Sequence, residues 1–125
     1  MSFRIEDLGD SDNSHKINGW NWRPTLELIR FFDVIDEERL EMMGYNATGV
    51  TVTEEEAVEI GFRLLALLSS RMSEGDRVGL DLKLTNAPDD GAFHRDDLAK
   101  NYGASYDWLT TFAEFCMSCK GFEVS

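Results

Sequence analysis

The sequence lacks the features that mark membrane and exported proteins. Its longest apolar run, residues 64–68, has five residues, whereas a helix that crosses a bilayer needs roughly 20. Residues 2–7 are net acidic and contain no apolar signal core. No internal repeat or low-complexity tract occurs. We therefore expect a cytoplasmic protein that does not interact with membranes.

Basic residues are also scarce. Lysine and arginine number 12 against 24 Asp and Glu, which gives a formal net charge of −12 at pH 7. Nucleic-acid binding draws most of its affinity from Lys and Arg that neutralise phosphates, so we expect no nucleic-acid partner. The acidity suits a basic protein partner, because opposite charge accelerates encounter. It suits equally well a chain that uses its charge only to stay soluble, and both interpretations stay open.

Cysteine is limited to Cys116 and Cys119, which have the C-x-x-C spacing. Both fall near the C-terminal end of a predicted helix, where the helix dipole disfavours a thiolate, so a redox role is not expected. A zinc site needs further ligands, and His15 and His94 are isolated. No catalytic motif accompanies His94. We predict no catalytic residue, no metal and no cofactor, and whether the protein is an enzyme stays open, with a non-catalytic role favoured.

Helical periodicity occupies much of the chain. A helix is predicted to begin at Pro24. The acidic residues 36–38 start either its bent continuation or a second short helix, and Gly44 is predicted to end it in a left-handed conformation. Thr53 and Glu56 have the spacing of a capping box and begin the next helix. The core face of that helix is predicted to contain Ile60, Leu64, Leu67, Leu68 and Met72, with Leu65 widening it. Ser105 caps a last helix rich in aromatic residues.

Alternating apolar residues predict short strands. These lie at residues 3–5, 50–52 and 78–84, with residues 122–124 as an edge strand, whereas residues 9–18 are polar and predict a loop. The fold class is α+β, with about three main helices packed on a small sheet. That sheet combines the strands near residues 50 and 78–84, with the termini as further candidates. We expect one compact domain over residues 1–125, of which residues 1–18 are partly loop.

The segment Trp20-Asn21-Trp22-Arg23-Pro24 concentrates two of the three tryptophans beside an arginine. In an extended segment Trp20 and Trp22 face the same side, with Arg23 opposite. Both indoles then either pack in the core or form the aromatic and arginine contacts that dominate protein interfaces. Packing in the core is the favoured interpretation.

Three short motifs resemble those of a family of small, mostly bacterial proteins of uncharacterised activity. They are Trp20-Asn21-Trp22-Arg23-Pro24 before a helix, Gly44-Tyr45-Asn46-x-x-Gly49 before an acidic helix, and Phe112-x-x-Phe115-Cys116-x-x-Cys119-x-Gly121-Phe122 at the C-terminus. The resemblance covers about residues 20–124. It implies that Trp22, Arg23, Tyr45 and Asn46 belong to one constellation.

Two functions follow as expectations. The first is a non-catalytic protein-interaction module of the immunity-like (toxin-neutralising) or regulatory kind, which binds a basic protein through an acidic helix face and exposed aromatic side chains. The second is a small-ligand-binding protein or enzyme with an inward-pointing Arg23. Its pocket would be lined by Trp20, Trp22, Arg23, Tyr45 and Asn46. Oligomeric state is not indicated by the sequence.

Overall fold

The computed structural model describes residues 2–45, 49–86, 95 and 101–125. These residues contain four helices and two antiparallel sheets, so the predicted α+β class is confirmed. The helices are α1 (Gly19–Phe32), α2 (Glu37–Met43), α3 (Glu54–Arg71) and α4 (Tyr106–Ser118). The strands are β1 (Ser2–Asp7), β2 (Asp10–Asn18), β3 (Val50–Val52), β4 (Arg77–Val78), β5 (Leu84–Thr85), β6 (Ala104–Ser105) and β7 (Phe122–Val124).

The larger sheet joins the two ends of the chain. Its strand order is β2-β1-β7-β3, with every pair antiparallel. Ile5 pairs with Val124, and Val52 pairs with Phe122, and all four side chains are buried. The strand at residues 122–124 therefore lies inside the sheet, where a partner on each side satisfies its backbone, and not at the edge as predicted.

The prediction of a loop at residues 9–18 is wrong. Residues 10–18 form β2, which pairs along β1 from Ser2–Asn18 to Glu6–Ser14. β2 is an edge strand whose side chains are mostly exposed, so its composition is polar and shows no alternation of apolar residues. The turn itself is confined to Leu8 and Gly9.

The predicted single strand at residues 78–84 is instead a hairpin. β4 and β5 pair with each other, and β6 pairs with β4 to complete a separate small sheet. Gly79 donates its N–H to the carbonyl of Lys83 at 3.0 Å, and Leu82 adopts a positive φ of 65°. The leucine alternation therefore continues through a turn, and these residues do not join the larger sheet.

Helix boundaries follow local capping chemistry. The Thr53 hydroxyl accepts from the Glu56 N–H at 3.2 Å and the Glu56 carboxylate accepts from the Thr53 N–H at 3.1 Å, which confirms the capping box. Two helices, not one bent helix, fill residues 19–43, because Asp33 adopts a left-handed conformation (φ 58°) after α1. Gly44 ends α2 with an ordinary φ of −84°, so the predicted left-handed stop at this glycine is wrong.

A hydrophobic core of aromatic and aliphatic side chains lies between the larger sheet and the helices. Phe3, Phe112 and Phe122 are fully buried there, and the ring of Phe112 meets that of Phe122 edge-on at 5.9 Å. α3 packs closely on α4. Among the helices of the described residues, none has both the length and the apolar character that a bilayer span requires.

Candidate functional site

The tryptophan-rich segment is helical. Asn18 caps α1 by accepting the Asn21 N–H at 2.9 Å, so the helix begins at Gly19 and Pro24 lies in its second turn. Because proline has no N–H, the carbonyl of Trp20 receives no helical hydrogen bond from it. The N–H of Gly103 donates to that carbonyl instead, at 2.9 Å. The start of α1 is thus joined to the segment that leads into β6.

The two tryptophans of this segment have different environments. Two positions along a helix differ by about 200°, so the expectation that Trp20 and Trp22 share one face is wrong. Trp22 is fully buried, and its indole N–H donates to the carbonyl of Met43 at 2.9 Å. Trp20 is 42% exposed, and its ring lies 4.8 Å from that of Tyr102. Trp22 therefore belongs to the core, and Trp20 remains accessible.

Arg23 and Tyr45 line one open cavity of about 370 Å³, which we call the α1–α2 cavity. Tyr102 lines the same cavity, and its other lining residues are Leu26, Glu27, Arg30, Leu40, Glu41, Gly44 and Leu80. Trp20 and Trp22 are not among the lining residues. Asn46, the fifth predicted binding residue, lies outside the described residues.

The arginines around this cavity differ in their partners. Arg30 forms salt bridges with Glu27 and with Glu37, the latter at 2.9 Å, and these carboxylates raise its pKa. The guanidinium of Arg23 instead donates to the carbonyl of Gly44 at 3.4 Å. In the part of the chain that the structure describes, no carboxylate forms a salt bridge with Arg23. Arg23 is therefore a half-buried cation that retains donor capacity toward the cavity.

A second candidate surface lies on α3. Val58, Phe62 and Leu65 are spaced four and three residues apart and therefore share one face of the helix, which we call the α3 stripe. Phe62 is 64% exposed, and the other two side chains are each 39% exposed. The side chain of Met117 on α4 is also exposed, and it packs against Gly61 beside the stripe.

Carboxylates surround the α3 stripe. Glu55 lies seven residues before Phe62 and thus on the same side of α3, and Glu59 lies three residues before it. Glu114 lies three residues before Met117 on α4 and is exposed. An apolar stripe with an acidic border therefore occupies this side of the molecule.

The sequence did not predict the α3 stripe, because a buried leucine (Leu64) and an exposed one (Leu65) are adjacent along α3. The helical spacing that predicts a core face, with Leu65 widening it, holds for Ile60, Leu64 and Leu68. Leu65 itself is exposed, and Phe62 falls outside the predicted face. The signal in the sequence for this surface was Phe62, an apolar residue that lies outside the predicted core face of α3.

The two cysteines lie in the core. Cys116 and Cys119 are both buried and reduced, and burial raises the pKa of each thiol. Cys119 points its thiol at the carbonyl of Cys116, 3.7 Å away. His15 packs edge-on against Phe115 at 5.4 Å, and His94 lies outside the described residues. Within the described ranges, no three His, Cys, Asp or Glu side chains are grouped as metal ligands would be.

Comparison with protein-family models, with curated proteins and with solved structures found no match to this chain. The resemblance to the small bacterial family stays a prediction. The α3 stripe and the α1–α2 cavity are therefore the features that indicate a function.

Proposed function

We propose that this protein is a non-catalytic interaction module whose α3 stripe binds a basic protein. The single observation that supports this most is Phe62, an aromatic side chain that is 64% exposed on a helix bordered by carboxylates. Isolated exposed apolar residues are normal on any surface, but an aligned group with a charged border is the arrangement of an interface centre and its rim.

Charge defines the chemistry of the partner. The chain carries a formal charge of −12, and Arg63, which follows Phe62 on α3, is already paired with Glu59 at 2.6 Å. A surface rich in Lys and Arg around an apolar recess complements this face. An arginine of the partner would also stack on the ring of Phe62. Rim charges of this kind act mainly on the association rate and make it dependent on salt.

In biological terms, the protein would be an immunity-like protein that neutralises a basic toxin, or a regulator of a basic enzyme. A bacterial source and a cytoplasmic location belong to the same proposal. Both forms need only a stable surface of fixed shape, which the packed α3 and α4 supply.

The test is affinity capture from a lysate of the source organism, with mass spectrometry at low and at high salt. The baits are the wild-type chain, Phe62→Ser and a matched control, Phe31→Ser, which removes a 72% exposed phenylalanine from α1 instead. We expect a basic protein to be captured by the wild type and by Phe31→Ser and released at high salt. With Phe62→Ser its recovery should fall at least about tenfold, as for an interface hot spot.

The captured protein is then purified, and its binding to each variant is measured by calorimetry. A partner of acidic or neutral charge, or a basic partner that Phe62→Ser binds as well as the wild type does, would overturn the proposal. Equal loss in Phe31→Ser and Phe62→Ser would also count against it, because binding would not depend on the α3 stripe.

A further inference from the structure

We propose that the α1–α2 cavity binds a small molecule that carries a carboxylate on a compact apolar or aromatic body, with Arg23 as the anchor. This site is separate from the α3 stripe, and the inference does not rest on the proposed protein partner.

Arg23 differs in its partners from the other half-buried arginines nearby. Arg30 contacts Glu27 and Glu37, and Arg39 contacts two carboxylates of its own. The chain has twice as many carboxylates as cations, so an internal partner for every arginine is easily provided. Among the described residues, however, Arg23 has no carboxylate partner and lines a cavity.

The guanidinium of Arg23 has more donors than its hydrogen bond with Gly44 uses. An arginine side chain has five N–H donors in a planar fork that matches a carboxylate in bidentate fashion. Arg23 uses one nitrogen for the Gly44 carbonyl, at 3.4 Å, near the limit for a hydrogen bond. Its remaining donors are available to a ligand in the cavity.

The α1–α2 cavity has the size and the apolar lining of a small-molecule site. Its volume of about 370 Å³ falls within the roughly 300–1,000 Å³ that small-molecule sites occupy. Leu26, Leu40 and Leu80 supply apolar walls, and Tyr45 and Tyr102 supply aromatic ones. Apolar and aromatic walls with a small number of charged groups, here two arginines and two glutamates, are the usual composition of a site for a small organic molecule.

Neither of the two carboxylates that line the cavity forms a salt bridge with Arg23. Glu27 is neutralised by its salt bridge with Arg30. Glu41 is exposed on α2, so water and salt screen its charge more strongly than that of the half-buried Arg23. The formal charges of the lining residues sum to zero, and Arg23 is the half-buried cation among them that has no carboxylate partner in the described residues.

Benzoate is the probe, and benzylamine, of similar size and opposite charge, is its control ligand. Each is titrated into ¹⁵N-labelled protein while amide and arginine Nε–H signals are recorded by NMR. We expect saturable shifts with benzoate at Arg23, Gly44 and Tyr45 and none with benzylamine. Arg23→Gln should weaken benzoate binding at least about tenfold. The matched control Arg71→Gln, which removes an exposed arginine from the end of α3, should leave it unchanged.

The same spectra report whether each variant is folded. If Arg23→Gln does not fold, Leu80→Trp decides instead, because it fills the cavity while Arg23 is kept. Absence of saturable benzoate binding to the wild type would overturn the inference. Equal binding of benzylamine, or benzoate binding that the deciding variant leaves unchanged, would do the same. Phe62→Ser should bind benzoate as the wild type does, so failure of the two proposals can be told apart.

Discussion

Asp7 is a buried carboxylate at the point where the N-terminal hairpin meets the C-terminal strand. It accepts hydrogen bonds from the backbone N–H groups of Gly9 at 2.8 Å and Lys120 at 2.9 Å, and from the side chain of Asn13 at 3.1 Å. The hydrogen bond from Lys120 is the largest of the effects that lower the pKa of Asp7. Because Lys120 is remote in sequence, this side chain adds to the β1–β7 pairing in holding the two ends of the chain together.

We predict that Asp7→Asn lowers the free energy of unfolding by about 1–3 kcal/mol at pH 7, since a charged acceptor of three hydrogen bonds is lost. Since folding lowers the pKa of Asp7 below its ordinary value of 3.8, its stabilising contribution is complete above that pH and is lost as the pH falls through the folded-state value. Urea unfolding at several pH values should show the difference between wild type and variant shrinking in acid. The exposed control Asp12→Asn should show little difference at any pH, and a pH-independent deficit in Asp7→Asn would contradict the argument.

At the scale of elements, the start of α3 is the junction of two helices and a strand. Thr53 caps the helix, and Glu56 completes the capping box while it also binds Arg39 on α2 at 2.5 and 2.8 Å. Arg39 in turn donates to the carbonyl of Thr51 in β3 at 3.2 Å. The side-chain hydrogen bond from Arg39 is the largest of the effects that lower the pKa of Glu56. The capping box visible in the sequence therefore marks both the start of α3 and its contact with α2 and β3.

We expect Thr53→Ala to lower the free energy of unfolding by about 1 kcal/mol, because the hydroxyl that accepts the Glu56 N–H is lost. Thr111→Ala is the matched control, since Thr111 is exposed inside α4 and its hydroxyl donates to a helical carbonyl without capping. Chemical denaturation of both variants gives the comparison. Similar stability for the two variants would show that the capping box is not a stabilising feature here.

At the scale of the whole molecule, the excess of carboxylates is a cost to the folded state. The salt bridges of Arg30, Arg63 and Lys120 are partly or largely exposed, so each stabilises the fold little. A net charge of −12 on a small globule adds self-repulsion that unfolding relieves. When salt screens both effects, the loss of repulsion between carboxylates should therefore change the stability more than the loss of the salt bridges does.

We predict that the melting temperature rises when sodium chloride is increased from about 10 mM to about 500 mM, over which the screening length falls from roughly 30 Å to a few Å. Thermal unfolding followed by circular dichroism at pH 7 measures this. Sodium chloride is preferable to sulfate, which also strengthens apolar burial. A fall in melting temperature would mean that the ion pairs, and not the repulsion, dominate the electrostatics of this protein.

Prediction from sequence succeeded where the relevant chemistry lies within one helical turn. The predicted caps at Thr53 and Ser105 are confirmed, because each side chain accepts a backbone N–H from the residue three positions on. It failed where the outcome depends on a distant strand, as at residues 9–18, where pairing with β1 makes a polar segment a strand. It failed also at residues 78–84, where alternation continued across a turn.

The sequence by itself determined the α+β class, the acidity and the starts of the helices at Thr53 and Ser105. Only the tertiary structure decided that Trp22 is core while Trp20 is accessible, that Arg23 lines a cavity with no carboxylate partner among the described residues, and that Phe62 faces outward. The physical reason is that caps and helical periodicity are local interactions. Exposure and charge pairing depend on which remote surfaces meet, and a linear pattern does not carry that information.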